Sequence, residues 1–555
     1  MSGNNHLRKE REIQAARKQK DNTAQRHDGI LIAGILVLIA GAILIFSNLS
    51  NRYLWEDEAE TALLGRNILT YGIPKAFDGK NLISQELGRD YNKNYVWRWT
   101  PWLDKYIAAL SFKILGEGTF QARVPFAFMG ILSLISVYFL TRLIFKDPWM
   151  GVLSMVFLTL SIPFLLYVRQ CRYYSIAILG SIWVLYFFFE MLQHKKRAVF
   201  GLFLAMTVLF HSNYLIFAGM TFSLITSFLI FYFNFKTLLR GLWSFVLIFF
   251  INLPWFIFFN ILGKMGEAEK QSPVEANLLN YYSSINQFSF PWLAVLLFSL
   301  IAFLLRKRKN LLEAEPARPM LFLFVFIVSY VIFISFAPWY FFRYIVNLLP
   351  VFAILSACMC RALWSWNRVF GALFMATLLL TGIFHRSSTY PFNNPLYEQI
   401  LDAEGSKTRT VLFPLGEYLY EITHDFDGPI EGIVKFLGKK AKPDDRVFIS
   451  YGDLPLKFYT ALDIKGGQTG EDLSSWPPPD WIIIRSFFRF SDRPAMKKDA
   501  DQMRDYLNTR IPKPEYRLME IPYVDIYWEN IPEPLFHRFR TPKKGKRVQI
   551  WERSK

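Results

Sequence analysis

Residues 51–72 read NRYLWEDEAETALLGRNILTYG, with four acids inside the window from Trp55 to Glu60. They follow almost at once on the apolar run 30–46. A run of about 20 apolar residues is long enough to cross a bilayer core. The chain therefore leaves a membrane and immediately presents Glu56, Asp57, Glu58 and Glu60. Further runs recur along the first two thirds of the sequence, at 123–145, 149–167, 175–193, 198–211, 214–233, 241–262, 290–306, 319–337, 343–362 and 367–385. With 30–49 they make eleven expected spans, and the chain reads as a polytopic α-helical membrane protein.

The composition agrees: of 555 residues, 53% are hydrophobic and 54 are Phe. A net charge of +18 would suit a nucleic-acid partner, but the cations sit in short gaps between apolar runs. These gaps hold Arg142 and Lys146, HKKR at 194–197, Lys236 and Arg240, RKRK at 306–309, and Arg361 and Arg368. Cytoplasmic loops carry such an excess of Lys and Arg. With the N-terminus inside, every one of these gaps is cytoplasmic. The odd number of spans then puts the C-terminal region outside, along with the acidic loop 50–122. No nucleic-acid partner is expected.

Residues 1–29 read as a basic cytoplasmic tail and 30–385 as the transmembrane domain. No small-residue cleavage site follows the first apolar run, which reads as a retained anchor. From 386 to 555 the long runs stop. DDRVFISYG (444–452) reads as a strand, DLPLKFYTAL (453–462) as a helix, and WIIIRS (481–486) as a strand after the stop PPPD. These imply an outer α/β domain. Cys171, Cys358 and Cys360 make neither a disulfide framework nor a Cys-based zinc site. No pair of broken helices of the transporter kind is legible.

The acidic stretch admits two readings. Asp57 precedes Ala59, Ala62, Leu63 and Leu69, an apolar stripe at helical spacing, and Glu60 lies three residues on. That is a capping-box pattern, in which the Asp caps an amide and the Glu reaches back. In the other reading the apolar face of this helix lies along the bilayer surface and its carboxylates point into the crevice. A carboxylate there can take the proton of an incoming hydroxyl. Capping does not account for the adjacent acids of EDE, which repel.

Cations gather on the same side, against the positive-inside trend: Arg98, Lys105 and Arg123, then Arg169 and Arg172 in RQCRYYS, then Arg343 in PWYFFRY. Each alone fits an arginine or lysine snorkelling to headgroups. As a set facing an acidic loop they suit a phosphate-bearing ligand at the membrane surface.

DEAETALLGRNILTYGIP (57–74), WTPWLDKYIAALSFKILGEG (99–118) and QARVPFAFMG (121–130) follow in order. This set resembles the first outer loop and second span of the protein O-mannosyltransferases and bacterial lipid A aminoarabinose transferases, membrane glycosyltransferases of the GT-C class. The family's Asp-Glu pair falls on Asp57 and Glu58, and the Arg opening its second span on Arg123. Where the family often has Lys-Pro-Pro-Leu, this chain has WTPWL, so Arg98 or Lys105 would supply that cation.

The resemblance implies a polyprenyl-phosphate-linked sugar as donor and a lipid, glycan or protein as acceptor, with membrane lipids around both. Asp57 would be the general base of an inverting transfer, and Glu58 would orient it or bind a donor cation. Arg123, Arg172 and Arg343, with Lys105 and Arg169, would hold the donor phosphate. Arginines can neutralise a monophosphate without a metal, so no cofactor is expected, although the loop has acids enough to hold a divalent metal. The expected location is a bacterial inner membrane with a periplasmic site. A transporter or flippase of lipid-linked sugars is the rival reading.

Overall fold

A computed structural model of the protein describes residues 28–267, 272–305, 317–387, 414–486, 494–526 and 528–554. All but the last two residues of the expected tail, and the RKRK gap, lie outside these. The chain is a multi-pass helical membrane protein with a C-terminal sheet region.

Among the described residues, seven helices are long and apolar enough to cross a bilayer: Asp28–Phe46 (α1), Thr119–Phe145, Tyr174–Leu192, Tyr214–Phe231, Phe235–Phe258, Arg318–Ser335 and Val346–Trp366. Two bent pairs, Pro148–Thr159 with Ile162–Val168 and Val274–Phe288 with Trp292–Ile301, raise the number to nine if each is one span. The two remaining expected spans fall on the shorter apolar helices Ala198–Ser212 and Arg368–Leu380. At 1.5 Å per residue these are about 20 Å long, short of the roughly 30 Å of a bilayer core. Eleven apolar stretches are thus present, but the count of eleven full spans is not established. The bends, 70° and 72°, also differ from the expectation of unbroken spans.

Exposure separates core from periphery. Windows in Val346–Trp366 and Tyr174–Leu192 are 89% and 78% buried, against 22% in α1. Leu31, Ile32, Ile35, Leu36, Ile39 and Ile43 of α1 are exposed, as lipid-facing side chains must be. Basic gaps among the described residues meet in pairs at one end of the bundle, where Arg361 pairs with Asp147 and Arg240 bonds His194.

At the other end lie two short helices, Glu56–Tyr71 (α2) and Leu103–Leu115 (α3). Gly65 of α2 lets them touch: a Cβ there would lie 3.0 Å from Ala108 Cβ and 3.1 Å from the Lys105 carbonyl. Here α2 departs from expectation. Twelve of its sixteen residues, all four acids included, are buried, so no face of it lies on a bilayer. The exposed apolar stripe is on α3 instead, at Tyr106, Leu110 and Ile114, one helical turn apart.

The C-terminal region forms a five-stranded sheet in the order β2-β1-β3-β5-β4, from β1 (Arg446–Ile449), β2 (Asp463–Gly466), β3 (Trp481–Ile483), β4 (Tyr516–Val524) and β5 (Arg547–Arg553). The first three strands are parallel, and β5 runs antiparallel to its neighbours β3 and β4. Alternation along β1 sends Val447 and Ile449 to the face packed on Ile430, Ile433 and Leu437, and Phe448 to the face packed on Met503 and Tyr506. The region clasps the first loop. Lys457 Nζ donates to the Leu82 carbonyl, Arg66 to the Phe458 carbonyl, and the Leu54 amide to Tyr459 Oη.

Candidate active site

The helix α2 begins at Glu56, with Trp55 as an extended N-cap that makes no side-chain cap bond. Asp57 is therefore inside the first turn, and the capping-box reading fails. The Trp55 indole donates to Gln170 Oε1 at 2.7 Å and the Leu54 amide is held by Tyr459, which fixes the entry to the helix one residue earlier. The acids are left to pair with arginines.

Asp57 and Glu60, one turn apart, share one cluster. Asp57 Oδ2 lies 2.6 Å from Arg343 Nη1 and 3.8 Å from Arg172 Nη2. Glu60 Oε1 lies 2.6 Å from Arg172 Nη1, which also donates to Thr61 Oγ1 at 2.8 Å. Gln85 Nε2 bridges the two acids, at 3.3 Å from Asp57 Oδ1 and 2.7 Å from Glu60 Oε2. Gln85 is placed by its own loop. The Asp90 carboxylate accepts the Gln85 and Glu86 amides, each at 3.0 Å, and the Ser84 hydroxyl. Burial, with the charge of Glu60 adding to it, pushes Asp90 up to about 7. Of this cluster Arg343 is the most open, with 24% of its side chain exposed.

Glu58 points elsewhere. It is fully buried and makes a bidentate pair with Arg123, 2.8 Å to Nε and 2.7 Å to Nη2. It also accepts the Cys171 amide at 2.8 Å and Asn530 Nδ2 at 3.4 Å. The remaining N–H groups of Arg123 donate to the carbonyls of Leu49, Arg52 and Tyr53. All five guanidinium donors are engaged. Glu58 and Arg123 therefore lock the first loop to the second span, and neither has a free face for a ligand.

Two further expected phosphate cations are also placed apart. Arg169 donates to the Leu44 and Asn48 carbonyls and to Tyr418 Oη. Lys105 is 1% exposed and is held by Asp104 and Thr100, within electrostatic range of Arg172 and Glu60. Of the seven residues expected at the site, the fold brings together Asp57, Arg172 and Arg343. It adds Glu60, which the sequence offered as a cap, and Gln85, which carries no local signal. A cavity lined by Arg52, Arg169, Glu421 and His537 has a volume of about 20 Å³, room for little more than one water. Among the described residues no group of three His, Cys, Asp or Glu side chains is placed to hold a metal.

A carboxylate and two arginines at one end of a helical bundle now stand beside the motif order quoted above. Residues 100–258 match the family model of dolichyl-phosphate-mannose-protein mannosyltransferase. That match covers under a third of the chain, and the fold as a whole is the one the GT-C glycosyltransferases have. ArnT from Cupriavidus metallidurans in the apo state resembles the protein over 95% of this chain and 98% of that chain, with a TM-score of 0.55 at 14% identity. The same protein bound to undecaprenyl phosphate is similar over 93% and 97%, with a TM-score of 0.50 at 13% identity. At such identities the likeness is one of fold. No curated protein matches the chain.

Proposed function

We propose that the protein moves a sugar from a polyprenyl-phosphate-linked donor to an envelope acceptor, a lipid, glycan or protein, at the outer face of a bacterial inner membrane. The observation that carries this reading is the Asp57–Arg343 pair: a buried carboxylate at 2.6 Å from a guanidinium that keeps a quarter-exposed side chain. The orientation, N-terminus inside and residues 386–555 outside as a domain of their own, rests on the basic gaps at the opposite end of the bundle.

The pair suggests how binding and chemistry are coupled. A donor phosphate that approaches Arg343 offers it two charge-assisted bonds and draws it off Asp57. Arg172, held by Glu60, supplies the second cation. The released Asp57 carboxylate then accepts the proton of the acceptor hydroxyl. The acceptor oxygen bonds to the anomeric carbon from the face opposite the phosphate. The carbon–oxygen bond to the phosphate breaks with its electron pair going to the phosphate oxygen, and polyprenyl phosphate departs. Configuration inverts. Arg343 and Arg172 stabilise the charge that grows on the leaving phosphate. In this reading Glu58 and Arg123 are scaffold, not machinery, and Arg169 and Lys105 do not touch the phosphate. In this reading Arg343 and Arg172, and no metal, supply the cationic contacts to the phosphate.

The test uses purified full-length protein in detergent with radiolabelled undecaprenyl-phosphate-linked sugars and envelope extract. Release or transfer of label supports the reading, because a flippase leaves the sugar–phosphate bond intact. A second arm measures undecaprenyl phosphate binding. Arg343→Gln is expected to weaken it by roughly a hundredfold, as loss of a charge-assisted bidentate contact does. Unchanged binding in that variant removes Arg343 from the phosphate site.

A further inference from the structure

The segment Glu529–His537, ENIPEPLFH, belongs to the C-terminal region by sequence but lies among the helices. Leu535, Phe536 and Phe539 pack against the core of the helical bundle. Its polar side chains are buried too, and each meets a different part of the site's frame. Asn530 Nδ2 reaches Glu58 Oε2 and the Tyr53 carbonyl, both at 3.4 Å, and its own carbonyl accepts from Gln170 at 3.5 Å. His537 bonds Glu421 at 2.6 Å. Glu533, 6% exposed, accepts Tyr167 Oη at 3.1 Å and the backbone amide of Phe342 at 3.2 Å. Pro532 and Pro534 flank it and fix the backbone on either side.

The Phe342 contact matters most. Phe342–Tyr344 is a single 3₁₀ turn, and its middle residue is Arg343. Arg343 is thus carried on a turn whose first amide is held by an acid from the far end of the chain, 191 residues away in sequence.

We propose that Glu533 is a positioning residue for donor binding: its carboxylate holds the Phe342–Tyr344 turn so that Arg343 can reach the donor phosphate. The C-terminal region is then part of the donor site. The inference rests on the reading of Arg343 as a phosphate cation.

Its charge gives a signature that a mere packing role lacks. The titratable groups that face Glu533 are Tyr167 on one bent span and Tyr340 and Arg343 on the turn side. Burial pushes Glu533 up to about 7, against the opposing pull of the Tyr167 hydrogen bond and Arg343. Below that pH it is neutral. Above it, a negative charge stands behind Arg343 and opposes an incoming phosphate.

The experiment measures undecaprenyl phosphate binding to full-length protein in nanodiscs at pH 6 and pH 8. Glu533→Gln keeps an acceptor for the Phe342 amide and cannot ionise. It is expected to match the wild type at pH 6 and to bind roughly threefold tighter at pH 8. The ligand's own titration is common to both proteins and cancels in the ratio. Glu533→Ala leaves the buried amide without an acceptor and is expected to weaken binding roughly tenfold at both pH values. Tight binding by the Ala variant, or a Gln variant indistinguishable from wild type at pH 8, overturns the inference. If the Ala variant does not fold, the Gln comparison alone decides it. Arg343→Gln separates the two levels. Normal binding there sinks the phosphate reading itself, whereas lost binding there with inert Glu533 variants sinks only this inference.

Discussion

Asp57 and Glu58 are neighbours in sequence and opposites in circumstance. Both are acids in the first turn of one helix, and both face an arginine at under 3 Å. Glu58 meets a guanidinium whose five donors are all engaged, in a place with no solvent access. Asp57 meets one that also bonds Tyr174 and Tyr344 and lies over the Phe341 ring, yet keeps 24% of its side chain exposed. A sealed, saturated pair cannot exchange its partner without leaving a buried charge unpaired. An open pair can trade one anion for another. In the proposed reading the motif therefore divides its two acids between fastening the loop and handling a ligand.

The largest effect that would break this comparison is on transfer. Asp57→Asn is expected to lower the transfer rate roughly 10²–10⁴-fold, the range for loss of a general base. Undecaprenyl phosphate binding should survive or tighten, since Arg343 loses its competitor. Transfer near the wild-type rate in a membrane assay would return Asp57 to a structural role alongside Glu58. The sealed pair should respond on a different axis. Arg123→Met strands Glu58 in the interior and is expected to cost about 3–5 kcal/mol of stability. A thermal melt in detergent measures it. Arg123→Lys should recover only part of the loss, because an ammonium offers three donors where five are used. Full recovery with Lys would mean that charge alone, and not the fork of bonds to three carbonyls, fastens the loop.

The sequence showed the apolar stretches because lipid leaves few alternatives to long apolar helices. It showed β1, the Asp453–Tyr459 helix and β3 through their alternation and the proline stop before Trp481. The strand β4 escaped notice: Pro522 interrupts it and most of its residues are not buried, as suits the edge of a sheet. The acids were visible as a cluster, but their division was not. Asp57-x-x-Glu60 satisfies a capping box on paper, and only Trp55 and Leu54, held by Gln170 and Tyr459 from distant segments, start the helix earlier. Which arginine faces which acid depends on bends at 169–173 and 342–344 that no local pattern encodes. Glu533 was equally hidden, as an acid between two prolines in an otherwise apolar run.

The smallest effect tests the seam between the two kinds of pair. Gln85 touches both Asp57 and Glu60, and Asp90 pins the turn beneath it. Its amide donates to one acid that would react and to one that steadies Arg172. A hydrogen bond to a charged group contributes about 1.5–3 kcal/mol, so Gln85→Leu is expected to slow transfer roughly tenfold or somewhat more. The direction of the accompanying change discriminates. If Gln85 mainly orients Asp57, the maximal rate falls and undecaprenyl phosphate affinity holds. If it mainly steadies Glu60, Arg172 loosens and affinity falls as well. A variant that matches the wild type in both, beside an inactive Asp57→Asn, would show that Asp57 needs no partner but its arginines. The open cluster would then reduce to one acid and two cations.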